Sequence, residues 1–405
     1  MILLDVTNTC HCWANTGIQR VARSLYRELL QLTEILPICF DPYMDEWRAL
    51  TPAELALLEP PKSTNWRRRR GAKWSLQQRL RGFAGRLDRA QGRRLQGTFS
   101  GLIVPEIFDH SVGQAYARLF SLVNGPKIAF FHDIIPIKLK HFTPVESVRQ
   151  FPQYLQDLKA FDTIITNSHH TCNELLAYWN ARLEQHPPVA ALPLGVDIPA
   201  ATLRRSMIPP EGPIEILSVG TLECRKNHLT LLAAAEWLFF QGLEFELNII
   251  GMLNRETGRP ALDRILQMNK KGLPVFWKGA VSEAALIKAY RECNFTVYPS
   301  LAEGFGLPVA ESISYGKPCV CSNRGALGEI AQGGGCLIVD TSSVEELARG
   351  IELLITQRAQ LQKLQREAAN HRLKTWTQFA QELLKHFSVQ APQQKLKKTL
   401  LNTDY

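Results

Sequence analysis

The chain has 405 residues, 45% apolar and 21% charged, the balance of a globular protein long enough for two domains. No apolar run reaches the roughly 18–20 residues that cross a bilayer. Met1 to Val6 (M-I-L-L-D-V) read as a strand rather than a secretory leader, so a cytoplasmic protein is expected. The net charge of +9 is local: Arg67 to Arg94 holds eleven basic residues against Asp88 alone, leaving the rest of the chain at −1. Nine scattered cysteines lack zinc-ligand spacing, so most are expected to be reduced and buried, with no metal site.

In chain order, the first strand enters a polar loop from Thr7 to Thr16. A helix then starts near Gly17, where Ile18, Val21, Leu25, Leu29 and Leu30 follow helical spacing. Strand, glycine loop and helix make the first half of a βαβ unit. Further strands are expected at Glu34–Phe40, up to Val104, at Lys127–Phe131 (running into His132-Asp133-Ile134-Ile135-Pro136) and at Thr163–Thr166. Ser168 is placed to cap a helix over Thr171–Trp179, and Val189–Leu194 closes this half. The proline-rich, charged segment Ala200–Pro213 reads as a linker.

The pattern then restarts. Strands at Ile214–Val219, Phe245–Ile250, Val275–Trp277, Phe295–Tyr298, Pro318–Cys321 and Cys336–Val339 are interleaved with helices at Lys226–Phe240, Asp263–Lys271 and Glu283–Cys293. Gly333–Gly335 makes a turn, Ser343 and Glu346 form a capping box, and helix covers most of Gln360–Phe387 with Trp376 and Phe379 in the core. The expected fold is α/β, with two doubly wound, Rossmann-like halves facing across a cleft.

Two stretches carry chemistry. Between a buried strand and a helix, Glu303 and Glu311 flank Gly304-Phe305-Gly306-Leu307-Pro308. The glycines let the backbone approach a ligand, Pro308 suits a first helical turn, and the helix start favours phosphate or sugar oxygens. In the loop after Val219, Gly220 gives room, and Arg225 with Lys226 can meet a diphosphate.

With E-G-F-G-L-P-V-A-E at Glu303–Glu311, V-G-T-L-E-C-R-K-N-H at Val219–His228, H-D-I-I-P at His132–Pro136 and T-G-I-Q-R-V at Thr16–Val21, the chain resembles glycosyltransferase family 4. These are retaining nucleotide-sugar enzymes of the GT-B fold, and the subgroup most resembled includes bacterial O-antigen and exopolysaccharide mannosyltransferases. The resemblance implies an N-terminal acceptor-side domain over 1–205 with a basic insertion near 62–97, and a donor domain over 206–370. A helix over 371–388 would pack back on the first domain, ahead of a flexible tail, 389–405.

It also implies roles. Glu303 would hold donor-sugar hydroxyls with the N–H groups of Phe305, Gly306 and Leu307, beside Gly304. Glu311 would hold the ribose, and Arg225 and Lys226 the diphosphate, near Gly220. Gly17 would line the facing loop, and His132 would reach the sugar near the reacting carbon. Thr221 stands where many members carry another basic residue. The implied substrates are a nucleotide sugar, with GDP-mannose leading, and a glycan or lipid-linked acceptor, without cofactor or metal. A degenerate sugar-nucleotide-binding subunit, a nucleotide-sugar epimerase and a glycogen-type phosphorylase are the alternatives.

Within the basic stretch, Leu76, Leu80, Phe83 and Leu87 fall on one helical face flanked by arginines, with Trp66 and Trp74 upstream. Such a helix suits an anionic membrane surface. A solvated insertion remains open, while no nucleic-acid-binding motif accompanies the charge.

Overall fold

The computed structural model describes residues 1–59, 74–76, 78–80, 82, 95–199 and 213–388. The expected linker (200–212) and tail (389–405) lie outside the described residues, as does the expected amphipathic face at Phe83 and Leu87 and most of the arginine run.

Thirteen strands form two sheets among the described residues. The first holds β1 (Ile2–Asp5), β2 (Ile35–Asp41), β3 (Glu46–Ala49), β4 (Gly101–Val104), β5 (Lys127–Phe131), β6 (Thr163–Thr166) and β7 (Val189–Ala191). Their spatial order is β3-β2-β1-β4-β5-β6-β7. The second holds β8 (Ile214–Val219), β9 (Phe245–Ile250), β10 (Val275–Trp277), β11 (Phe295–Tyr298), β12 (Cys319–Cys321) and β13 (Cys336–Ile338). It is wholly parallel in the order β10-β9-β8-β11-β12-β13. That is doubly wound topology, in which the order reverses between β8 and β11 and opens a crevice at the carboxyl ends of those strands.

Period-two packing explains why Ile2, Leu3 and Leu4 are all apolar. In β1, Leu3 points into one cluster with Leu102 and Phe131, while Ile2 and Leu4 point into another with Ile103 and Phe130. Both faces are therefore covered by helices, as parallel sheets require. On one face the helices Gly17–Leu32 and Trp376–Ser388 pack together through Val21, Leu25, Leu29, Trp376, Phe379 and Leu383, so the end of the described chain returns to the first sheet.

Several elements differ from the sequence expectation. Strand β3 is antiparallel to β2, following a tight turn in which Asp45 takes φ 56°. Arg48 on β3 is buried because Asp41 (2.9 Å) and Glu54 (2.8 Å) accept from its guanidinium. Leu30 is 48% exposed, since the apolar stripe of its helix runs through Leu25 and Leu29 instead. The expected helix Lys226–Phe240 is a 3-10 turn, Cys224–Lys226, then a left-handed Asn227 (φ 57°), then a helix from His228. The helices His110–Phe120 and Val145–Asp157 were not expected, and the second tolerates Pro152 in its interior. Ser343 caps its helix by accepting from the Glu346 N–H at 3.2 Å, but its own N–H bonds Asp340, so the box is not reciprocal. Trp74 packs against His11, with ring centroids 3.9 Å apart.

Candidate active site between the two sheets

The loop after β11 and the loop after β8 meet at the crevice. The helix Leu307–Ser314 begins with Pro308 in its first turn and has no side-chain cap; Gly306 precedes it at φ 106°, a conformation that suits glycine. Pro308 has no N–H and Val309 donates to Gly306 O at 3.0 Å, so the N–H groups placed to meet a ligand are those of Phe305, Gly306 and Leu307, which line a cavity of about 330 Å³ between the sheets. The same cavity is lined by Gly17, His132, Gly220, Arg225, Lys226, Glu303, Gly304 and Glu311, the residues assigned to a donor site from the sequence.

Glu303 is the electrostatic centre. Its Oε1 accepts from Lys226 Nζ at 2.5 Å, Ser300 Oγ at 2.5 Å and Tyr298 Oη at 2.9 Å, with Arg225 Nη1 at 3.2 Å. Burial alone would raise the Glu303 carboxyl, but Lys226 and Arg225 hold it down at about 2. Burial pulls the Lys226 ammonium below its ordinary value, with Glu303 opposing the fall. Arg225 also pairs with Glu223 at 2.8 Å. Two cations and two carboxylates therefore face one another here. Arg225 and Lys226 lie on the 3-10 turn rather than at an α-helix start, and Asn227 fixes that turn by donating to Thr341 O at 2.7 Å.

His132 follows β5, and its Nε2 bonds Pro105 O at 2.7 Å. Burial pushes it down to about 4, so the ring is neutral at pH 7. Asp133 bonds the Ile135 N–H at 3.0 Å, which suits a structural turn.

The two halves touch through the motif itself. Ser168 Oγ (2.7 Å) and Thr171 Oγ1 (3.0 Å) donate to the Gly304 carbonyl. A Cβ on Gly304 would stand 1.9 Å from His132 O, so only glycine allows this approach. Glu329 accepts from the His169 N–H at 3.0 Å and from that of His170. The backbone of these histidines thus ties the helix His169–Asn180, whose cap is Ser168, to Glu329, while the His170 ring contacts Glu174 at 3.0 Å. Arg20 bridges Glu283 (2.9 Å) and Glu311, while Tyr290 donates to the second Glu311 oxygen at 2.8 Å.

Arg20, Glu283, Tyr298, Ser300, Ser168 and Thr171 were not anticipated as site residues. Arg20 stood within reach: it lies three residues beyond Gly17, almost one helical turn, inside a motif already singled out. Tyr298 and Ser300 also stood close by, five and three residues before Glu303, whereas Ser168, Thr171 and Glu283 make contacts between segments far apart in sequence, for which spacing gives no signal.

Elsewhere, seven of the nine cysteines are buried and all nine are free. Among the described residues, Cys10, His11 and Cys39 bring potential metal-ligand atoms within 4.8 Å of one another. Both His11 nitrogens are already engaged, with Thr7 O at 2.8 Å and Glu54 at 3.0 Å, so a metal would have to displace one contact.

Residues 200–371 match the family model described as glycosyl transferases group 1. The chain is 27% identical over 352 residues to the serotype-specific mannosyltransferase WbdA of Escherichia coli, covering 82% of this chain and 40% of that protein. It is 28% identical over 222 residues to the O-antigen chain mannosyltransferase B of Escherichia coli, covering 50% of this chain and 54% of that protein. The chain thus spans about two fifths to one half of the length of these relatives. Among solved structures, the sucrose-phosphate synthase of Thermosynechococcus elongatus superposes with a TM-score of 0.63 at 18% identity, covering 98% of both chains. Anabaena HepE in complex with UDP and glucose gives a TM-score of 0.63 at 14% identity, covering 96% of this chain and 99% of that one. The fold is GT-B, and the second half carries a glycosyl transferases group 1 domain.

Proposed function

We propose that the protein is a retaining glycosyltransferase that moves a hexose from a nucleotide sugar to a glycan or lipid-linked acceptor in cell-surface polysaccharide synthesis. Mannose from GDP-mannose is the proposed donor, on the strength of the mannosyltransferase relatives. The observation that carries the reading is Glu303, kept ionised by Lys226 and Arg225 beside an uncapped helix start in an interdomain cavity.

The contacts described above use Glu303 Oε1, so Oε2 is the oxygen offered to a sugar hydroxyl. A diphosphate takes Arg225, Lys226 and the N–H groups of Phe305 to Leu307. As the sugar–phosphate bond breaks, negative charge gathers on that diphosphate, and fixed cations and amides stabilise it without reorganising. Neutral His132 spends its Nε2–H on Pro105 and keeps Nδ1 as an acceptor for a sugar hydroxyl. The anchoring of Glu303 by Lys226, Ser300 and Tyr298 suits a ligand for the sugar better than a nucleophile, and favours a front-face route in which the leaving phosphate assists the acceptor.

No helix among the described residues is long and apolar enough to cross a membrane. The basic run from Arg67 to Arg94 is proposed to hold a cytoplasmic enzyme at an anionic membrane surface, where a lipid-linked acceptor would lie.

Thermal stabilisation by GDP-, UDP- and ADP-sugars tests the donor reading, because a ligand bound only by the native state at 100 times its Kd adds about 2.7 kcal/mol of stability. Stabilisation by one class supports the reading, and none by any class contradicts it.

A further inference from the structure

Glu283 is a half-exposed carboxylate in the first turn of the helix Glu283–Glu292, at the mouth of the same cavity. Its charged partner is Arg20, which crosses from the other half and touches Glu311 with its second amino group. Asn15, also from the first half, donates to Glu283 at 3.4 Å. Both contacts thus come from across the cleft, and an opening of the cleft would strip them.

The strand order fixes what a bound donor would meet. The sugar-side residue Glu303 follows β11, and Arg225 and Lys226 follow β8, its neighbour in the sheet. Continuing in the same direction come the ends of β9 and β10, where the cavity wall is Ile250, Gly251, Met252, Ala280 and Val281. A donor with its diphosphate over β8 and its ribose on Glu311 places its base in this apolar slot. Glu283 is the acidic side chain at the rim of that slot.

We infer that Glu283 reads the donor base and selects guanine. The inference rests on the donor-site reading above. A carboxylate accepts two parallel hydrogen bonds, and guanine presents two adjacent donors, N1–H and the N2 amino group. Uracil offers a single N3–H between two carbonyl oxygens that repel a carboxylate. The adenine amino group stands beside an acceptor nitrogen. Arg20 pairs with Glu283, so the guanine edge replaces its guanidinium while Glu311 takes the ribose hydroxyls.

The test is a cycle of ligand and residue edits, read as Kd by calorimetry on the full chain. GDP is compared with IDP, which lacks only the N2 amino group, and with UDP, for wild type, Glu283→Gln and Arg20→Ala. In the wild type GDP binds roughly 10- to 100-fold tighter than IDP, the value of one hydrogen bond to a charged group, and tighter still than UDP. In Glu283→Gln, whose amide mispairs with guanine, the GDP/IDP ratio falls below about threefold, whereas Arg20→Ala leaves that ratio at its wild-type value. The inference is overturned by a wild-type GDP/IDP ratio near one, or by a ratio that Glu283→Gln does not change. UDP binding at least as tightly as GDP overturns the base assignment and leaves the donor site standing. Failure of all three nucleotides to bind overturns both.

Discussion

Lys226 and Glu303 form a close charged contact in the cavity, and a double-mutant cycle measures how strongly each needs the other. Lys226→Met removes the 2.5 Å donor to Glu303 Oε1 but leaves Arg225 at 3.2 Å and the hydroxyls of Ser300 and Tyr298. Breaking a buried ion pair from one side costs about 3–5 kcal/mol, and the remaining donors place this case at the low end. Glu303→Gln leaves Lys226 with Tyr298 Oη at 2.5 Å but without its carboxylate. Breaking the pair from this side costs about 3–5 kcal/mol as well. The double variant removes both charges and should lose about 1–3 kcal/mol less than the sum of the single losses. Urea unfolding at pH 7 reads all four proteins. Additivity within about 0.5 kcal/mol would refute the reasoning, because it would mean that the two groups do not share an environment.

Two further outcomes follow from the same geometry. Gly304→Ala puts a methyl where His132 O stands 1.9 Å away across the cleft, a clash that opening relieves without unfolding. Transfer should fall roughly 100-fold while the melting temperature changes little, and unchanged transfer would refute the cross-cleft contact. Buried His132 and His228 sit at about 4 and about 3 in the fold against 6.5 unfolded, so their stabilisation is complete above 6.5 and fades as pH falls. Glu106, raised to about 7 by burial against 4.5 unfolded, works the other way and loses stability as pH rises. Between pH 7 and 5.5 the histidines withdraw roughly 2–3 kcal/mol and Glu106 returns roughly 1–2 kcal/mol. Glu106→Gln should therefore show a steeper acid loss in denaturant midpoints, and an unaltered pH slope would contradict the assignment.

The strands of the second sheet were legible because β8, β9, β10 and β11 are short, largely apolar segments bounded by turn residues, and β11 is buried at every position. The motif helix was legible through Gly306 and Pro308, each suited to one backbone geometry. Strand β3 was not, because a four-residue edge strand holding Glu46 and Arg48 looks like a solvated turn until Asp41 and Glu54 pair with its arginine. Pro152 hid the helix Val145–Asp157, since proline ordinarily ends such a pattern. At the site, the residue types on each loop were readable, whereas the Ser168–Gly304 and Arg20–Glu311 contacts arise only when two separately folded sheets meet.

Nucleotide release coupled to acceptor glycosylation tests the central claim most directly. Wild-type protein supplied with GDP-mannose and a mannose-terminated acceptor should release GDP in step with product whose new linkage keeps the donor's α configuration. Glu303→Ala and Lys226→Ala should each lower that rate by about 100- to 1,000-fold or more while remaining folded, as loss of groups that stabilise or position the transition state requires. Near-wild-type transfer by both variants, or product of inverted configuration, would contradict the account.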